Sequence, residues 1–114
     1  MASNDFFHPY DLNIAQKDPW RMFKIMSEFI NGFDSLVNIG PSISIFGSAR
    51  LTKKSPSYQL SHDISYAVAS KGFAIITGAG PGLMEAANKA AKEAKTPSCG
   101  LIVDLPYELE PNKY

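Results

Sequence analysis

Apolar residues recur at Phe23, Met26, Ile30, Phe33 and Val37, three or four positions apart, which is the repeat of one helix face. A second set, Met22, Ile25, Phe29 and Leu36, widens that stripe. A helix apolar over so much of its girth is expected to be buried on more than one side. It lies either wholly inside its own domain or between a sheet and a partner subunit. Asp18-Pro19 suits its start, because Asp caps and Pro fits the first helical position. Gly40-Pro41 ends it.

Beyond that helix the period changes. Ile43-Ser44-Ile45-Phe46 is a short apolar run and predicts a strand. Residues 57–71 predict a helix with Leu60, Ile64, Ala67 and Val68 on one face, closed by Gly72. Residues 73–77 predict a second strand, 82–94 a second helix that buries Ala87, Ala90, Ala91 and Ala94, and 99–103 a third strand. The order β-α-β-α-β with short connections implies a parallel sheet. The expected class is α/β: a Rossmann-like half preceded by an N-terminal helix. Residues 1–17 read as a polar and aromatic arm. Residues 18–114 read as the N-terminal portion of a nucleotide-binding domain that is incomplete at its C-terminus. A fourth strand would pair beside the first in such a fold, so strand 43–46 is expected to be central to assembly.

Composition narrows the function classes. The chain has 114 residues, 45% of them hydrophobic, with 11 Lys plus Arg against 11 Asp plus Glu. Zero formal charge argues against nonspecific nucleic-acid or acidic-membrane binding. Cys99 is the single cysteine, so an internal disulfide and a cysteine zinc cluster are both excluded. His8 and His62 lack metal-ligand spacing. No secretory pattern opens the chain and no apolar run reaches membrane-span length. The expected setting is cytoplasmic.

The densest chemistry lies in Gly78-Ala79-Gly80-Pro81-Gly82, between the second strand and the second helix. Three glycines leave backbone N–H groups bare at a helix mouth, where unpaired donors and the positive end of the helix dipole favour an anion, usually phosphate. The alternative is a tight turn without a ligand. Gly47-Ser48-Ala49-Arg50 follows the first strand and lies at the same sheet edge, where open α/β sheets bind ligands. Arg50 suits a phosphate or a base face, or is a solvated loop residue. Glu85 suits the first helical turn, as a cap or as a ligand contact. Glu108 and Glu110 lie beyond the third strand, placed to accept ribose hydroxyls or simply exposed. Tyr107 and Tyr114 suit base stacking or packing. Gly78, Gly80 and Leu83 give G-x-G-x-x-L, and Asp104 ends the third strand, which keeps a dinucleotide cofactor open as a second reading.

Taken in order, Gly47-Ser48-Ala49-Arg50, then 77–89 from Thr77 to Asn88-Lys89, then Gly100-Leu101, Leu105-Pro106-Tyr107-Glu108-Leu109 and Pro111-Asn112-Lys113-Tyr114 resemble the Lonely Guy family, long mislabelled "lysine decarboxylases". Residues 20–29 look like the extension of its longer bacterial members, so the resemblance covers about residues 18–114. Ala79 stands where the family usually has Gly, which reads as a mild change. The resemblance implies hydrolysis of the N-glycosidic bond of a nucleoside 5′-monophosphate, AMP or a cytokinin riboside monophosphate, to free base and ribose 5-phosphate. It implies no redox cofactor, no metal and a dimer or larger homo-oligomer. By analogy Gly47, Ser48, Arg50, Gly78, Gly80, Gly82 and Met84 would border the nucleotide, and Glu108 would reach it. The family's second signature, Pro-Gly-Gly-x-Gly-Thr-x-x-Glu, and its catalytic arginine have no counterpart in these residues. No catalytic residue is therefore expected in this chain, which on its own should be inactive.

Overall fold

The computed structural model describes residues 19–103 and 110–114. The chain divides into two compact units, Met1–Asn38 and Ile39–Tyr114. In the first, α1 spans Pro19–Leu36 as the repeat predicts. Its burial differs from expectation, because no residue of α1 is buried. Trp20 is 77% exposed and Phe33 73%. Trp20 and Phe23 share a tilted ring contact at 5.8 Å. The apolar girth is real, and among the described residues it is exposed.

The second unit is the α/β half. Its order is β1 (Ser42–Ser44), α2 (Pro56–Ala69), β2 (Ala74–Thr77), α3 (Leu83–Glu93) and β3 (Ser98–Gly100). The three strands form a parallel sheet in the order β1-β2-β3. The strands are shorter than the apolar runs, yet pairing continues past their ends. Ile45 N–H donates to the Ile76 carbonyl at 2.8 Å, and Leu101 N–H to the Thr77 carbonyl at 2.9 Å. β1 is an edge strand: it pairs with β2, and all three of its residues are exposed. β1 thus occupies the sheet edge at which the expected fourth strand would pair.

α2 and α3 pack together against β2. Ala69, Ile75, Ala87 and Ala91 form the buried cluster, with Ile45, Val68 and Ala94 against it. α3 buries Ala86, Ala87, Ala90 and Ala91 completely; the last three are expected from its pattern, whereas the fourth expected alanine, Ala94, is the C-cap and only half-buried. α2 departs from its pattern. Leu60 and Ile64 are exposed, whereas Tyr58, Ser65 and Ala69 are buried. The helix pair approaches through small side chains, and its polar groups are satisfied locally. Ser65 Oγ donates to the Ser61 carbonyl at 2.6 Å, and Ser61 Oγ to the Leu83 carbonyl at 2.9 Å. At the outer side His62 Nε2 lies 2.6 Å from Glu93 Oε2, joining α2 to α3.

Each α/β helix ends by a distinct local device. Ser55 caps α2, its side chain accepting from Ser57 N–H, with Pro56 at the first position. Gly72, at φ +92°, turns the chain into β2. α3 ends with Lys95 at φ +60° and the bonds Thr96 N–H to Ala91 carbonyl and Lys95 N–H to Lys92 carbonyl. These form a Schellman closure made without glycine. No helix among the described residues is long and apolar enough to cross a membrane.

Candidate functional site

The two glycine loops leave the C-terminal ends of β1 and β2 and are tied to each other. Leu83 N–H, the first donor of α3, bonds the Ser48 carbonyl at 3.0 Å. Gly82 makes this approach possible. It sits at φ +72° and ψ −127°, where L side chains are strained. A Cβ there would strike the Ser48 carbonyl oxygen and lie 3.1 Å from Ala49 Cα. At Gly47 a Cβ would fall 2.6 Å from Leu83 Cδ1. Gly47 and Gly82 thus act in loop-to-loop packing.

Gly78 and Gly80 lie under Met84. A Cβ on Gly78 would sit 3.3 Å from Met84 Sδ and 3.4 Å from Phe46 Cε1, and one on Gly80 would meet the Met84 methyl. The backbone N–H groups of Met84 and Glu85 have no intrahelical acceptor, as in any first turn. They and the dipole remain available to an anion.

The predicted side chains fall into three groups. Ser48 Oγ accepts from Arg50 N–H at 3.2 Å, a local turn that organises its loop, while the Arg50 side chain is exposed. Glu85 is not a free acid: Lys53 Nζ lies 3.0 Å from its carboxylate. That partner and its charge raise the Lys53 pKa. Glu110 is exposed, and Tyr114 is half-buried with Lys113 Nζ 5.1 Å over its ring. Asp104, Tyr107 and Glu108 lie outside the described residues. The structure therefore brings together Gly47, Ser48, Gly78, Gly80, Gly82 and Met84, while Arg50 joins them only through its backbone N–H to Ser48. Among the described residues, no group of three or more His, Cys, Asp or Glu is arranged to hold a metal.

Sequence reasoning missed what stands behind the turn. Thr77 Oγ1 donates to Asn88 Oδ1 at 2.5 Å and accepts from Ala79 N–H at 2.9 Å. Asn88 Nδ2 donates to Ser98 Oγ at 2.9 Å. Asn112 Nδ2 donates to Asn88 Oδ1 and to the Gly80 carbonyl. A cavity of about 160 Å³ lies beside this network, lined in part by Asn88, Ser98 and Asn112. One signal was present: Asn88 interrupts a run of buried alanines, and a polar side chain in an apolar phase needs partners.

Ala79 is more than a mild change, because it adopts φ +57° in the left-handed region. That conformation costs an L residue about 1 kcal/mol or more. Ala79→Gly should stabilise the chain by about 0.5–1 kcal/mol, after allowing for the greater entropy of unfolded glycine. Urea unfolding checks this, and a less stable variant would show that the turn carries no strain.

Tyr58 is one of the buried residues of α2. It is 5% exposed, and its hydroxyl is buried without a hydrogen-bond partner among the described residues. Burial, and then the Glu85 carboxylate, push its pKa up. The folded state holds this proton more tightly than the unfolded chain. The associated stability is complete below the unfolded tyrosine pKa and is lost as pH rises through the folded value. Tyr58→Phe should leave stability at neutral pH unchanged or raise it by up to about 1 kcal/mol. It should also blunt the loss above about pH 10. Thermal melts from pH 7 to 11 test both, and a clear loss at pH 7 would mean the hydroxyl is bonded.

No curated protein sequence matches the chain. A family model does match, over residues 40–113. That stretch holds all three strands, α2, α3 and both glycine loops, and leaves α1 outside. The model belongs to a superfamily that includes Lonely Guy-like proteins, so the match supports the resemblance at that broader level. With well over half of its length matched, the chain belongs to the SLOG cluster4 family.

Proposed function

We propose that this chain carries the glycine-turn half of a nucleoside 5′-monophosphate phosphoribohydrolase, which releases the base of AMP or a cytokinin riboside monophosphate and leaves ribose 5-phosphate. The observation that carries the reading is the 78–82 turn, tied through Leu83 N–H and Ser48 to the loop after β1 at the C-terminal edge of the sheet. Family membership supports a nucleotide ligand.

In this reading the first-turn N–H groups of α3 attract the phosphate. The 47–50 loop borders the sugar and base, and Met84 moves aside as the nucleotide enters. Cleavage of the N-glycosidic bond needs stabilisation of an oxocarbenium-like centre and a proton for the departing base. Glu85 is engaged by Lys53 and is a poor candidate for either task. The chain is therefore proposed to bind nucleotide without turning it over. A cytoplasmic setting and a dimer or larger assembly belong to the same reading. The exposed apolar positions of α1 support the assembly, and a monomer in sedimentation would remove that part.

The test is calorimetric titration of AMP and NAD into the chain and into Gly80→Val. A Cβ at Gly80 meets only the flexible end of Met84, so the fold should accommodate valine. Its branches would obstruct backbone approach and weaken AMP binding by about tenfold or more. Unchanged AMP affinity in that variant, or a preference for NAD, would overturn the reading.

A further inference from the structure

We propose that Asn112 is a positioning residue that sets the glycine turn for an anion by drawing two of its carbonyl groups to the inner side. The inference rests on the nucleotide reading for its ligand, and on geometry alone for the turn.

Asn112 contacts the turn from well beyond β3. Its backbone N–H donates to the Ala79 carbonyl at 2.8 Å. Its Nδ2 donates to the Gly80 carbonyl at 3.0 Å and to Asn88 Oδ1 at 3.1 Å, and its Oδ1 accepts from Tyr114 N–H at 3.1 Å. Both amide hydrogens and one oxygen lone pair are thereby used. Asn88 Oδ1 is held in turn by Thr77 Oγ1, so Asn112 is braced against the buried network.

The direction of these bonds matters more than their number. In a planar trans peptide the C=O and the following N–H point in opposite directions. With the Ala79 carbonyl held toward Asn112, the Gly80 N–H must point away from it. The next peptide carries Pro81, which has no N–H, and its carbonyl, that of Gly80, is also held by Asn112. Two oxygens that would repel an anion are withdrawn, and one donor is turned out. Ala79 at φ +57° disfavours this arrangement on its own, so an external hold is needed to keep it populated. The Ala79 carbonyl is held by the backbone N–H of residue 112 whatever its side chain, but the Gly80 carbonyl and Asn88 Oδ1 together require the two hydrogens of an amide side chain. A carboxylate at 112 would set its oxygens against two acceptors, the Gly80 carbonyl and Asn88 Oδ1.

The test uses the ¹⁵N-labelled 114-residue chain, with Asn112→Ala, Asn112→Asp and the exposed-site control Lys113→Ala, each titrated with AMP and with adenosine. In Asn112→Ala the AMP dissociation constant should rise by about tenfold, in proportion to the lost fraction of competent turn. Adenosine binding should hold. The Gly80 amide resonance should move while those of α2 keep their positions. Asn112→Asp should lose more, and Lys113→Ala should change nothing. Equal losses for AMP and adenosine, or an unmoved Gly80 resonance, would overturn the inference. If the unaltered chain fails to bind AMP, the nucleotide reading falls, and the Gly80 resonance alone decides the positioning role. Should Asn112→Ala not fold, Asn112→Ser, which keeps a short polar side chain, is read by the same criteria.

Discussion

Asn88→Ala should lower folding stability by about 2–4 kcal/mol, the largest loss expected from any polar side chain among the described residues. Asn88 is 3% exposed and joins β2, β3 and the 110–114 segment through Thr77, Ser98 and Asn112. Removing it leaves the buried Thr77 hydroxyl, the half-buried Ser98 hydroxyl and one hydrogen of half-buried Asn112 without their partner. The cost is then desolvation of several groups rather than the loss of one bond. The residue also sits on an otherwise alanine-packed face, so no larger neighbour collapses into the gap. Urea unfolding of the chain and the variant checks the figure. A loss below about 0.5 kcal/mol, the range of ordinary surface substitutions, would mean that the network is solvated and carries little.

Gly82→Ala should cost a similar amount, about 2–4 kcal/mol, from two separate sources. Its φ of +72° with ψ of −127° is strained for any L residue. Its new methyl group would also drive into the Ser48 carbonyl. Either the turn changes conformation or the loops part, and in both cases Leu83 N–H loses its acceptor. AMP binding should fall with stability, because the two loops no longer share one edge. Gly32→Ala is the contrast: a Cβ there meets nothing within 4 Å, and the change should favour α1. If Gly82→Ala melts with the unaltered chain, the loop-to-loop contact does not organise the site.

Most of the architecture was legible from periodicity. The β-α-β-α-β order, the alanine face of α3 and the turn at residues 78–82 all appear as predicted, since each depends on neighbours a few positions apart. What escaped depends on distant partners. The Leu60 and Ile64 stripe has the right spacing for a buried face, yet it stays exposed. Spacing identifies an apolar side without saying which side meets a neighbour. Here small serines allow the closer approach, and they win. Asn88 and Asn112 are 24 residues apart, and no local pattern joins them. The left-handed Ala79 was hidden because alanine carries no conformational signature, although the glycine expected there by resemblance pointed to it. Of the acids predicted beyond β3, Asp104 and Glu108 lie outside the described residues, and Glu110 is exposed.

The alanine contact of α3 has a consequence for precision. Ala86, Ala87, Ala90 and Ala91 have no side-chain torsions to select, so ordering them costs no rotamer entropy. On its own side α3 contributes only methyl groups to this contact, against which Ile75, Val68 and Ile45 pack. No rotamer hop at these positions can shift the helix mouth, where the phosphate is proposed to sit. The same economy removes tolerance. A single added methylene at any of the four acts as a wedge, because close-packed interiors leave no slack to absorb it. Such a wedge would displace the mouth of the helix before it unfolded the chain. Drift at this seam would therefore be felt first as weakened ligand capture, in a protein that still melts as a single folded species.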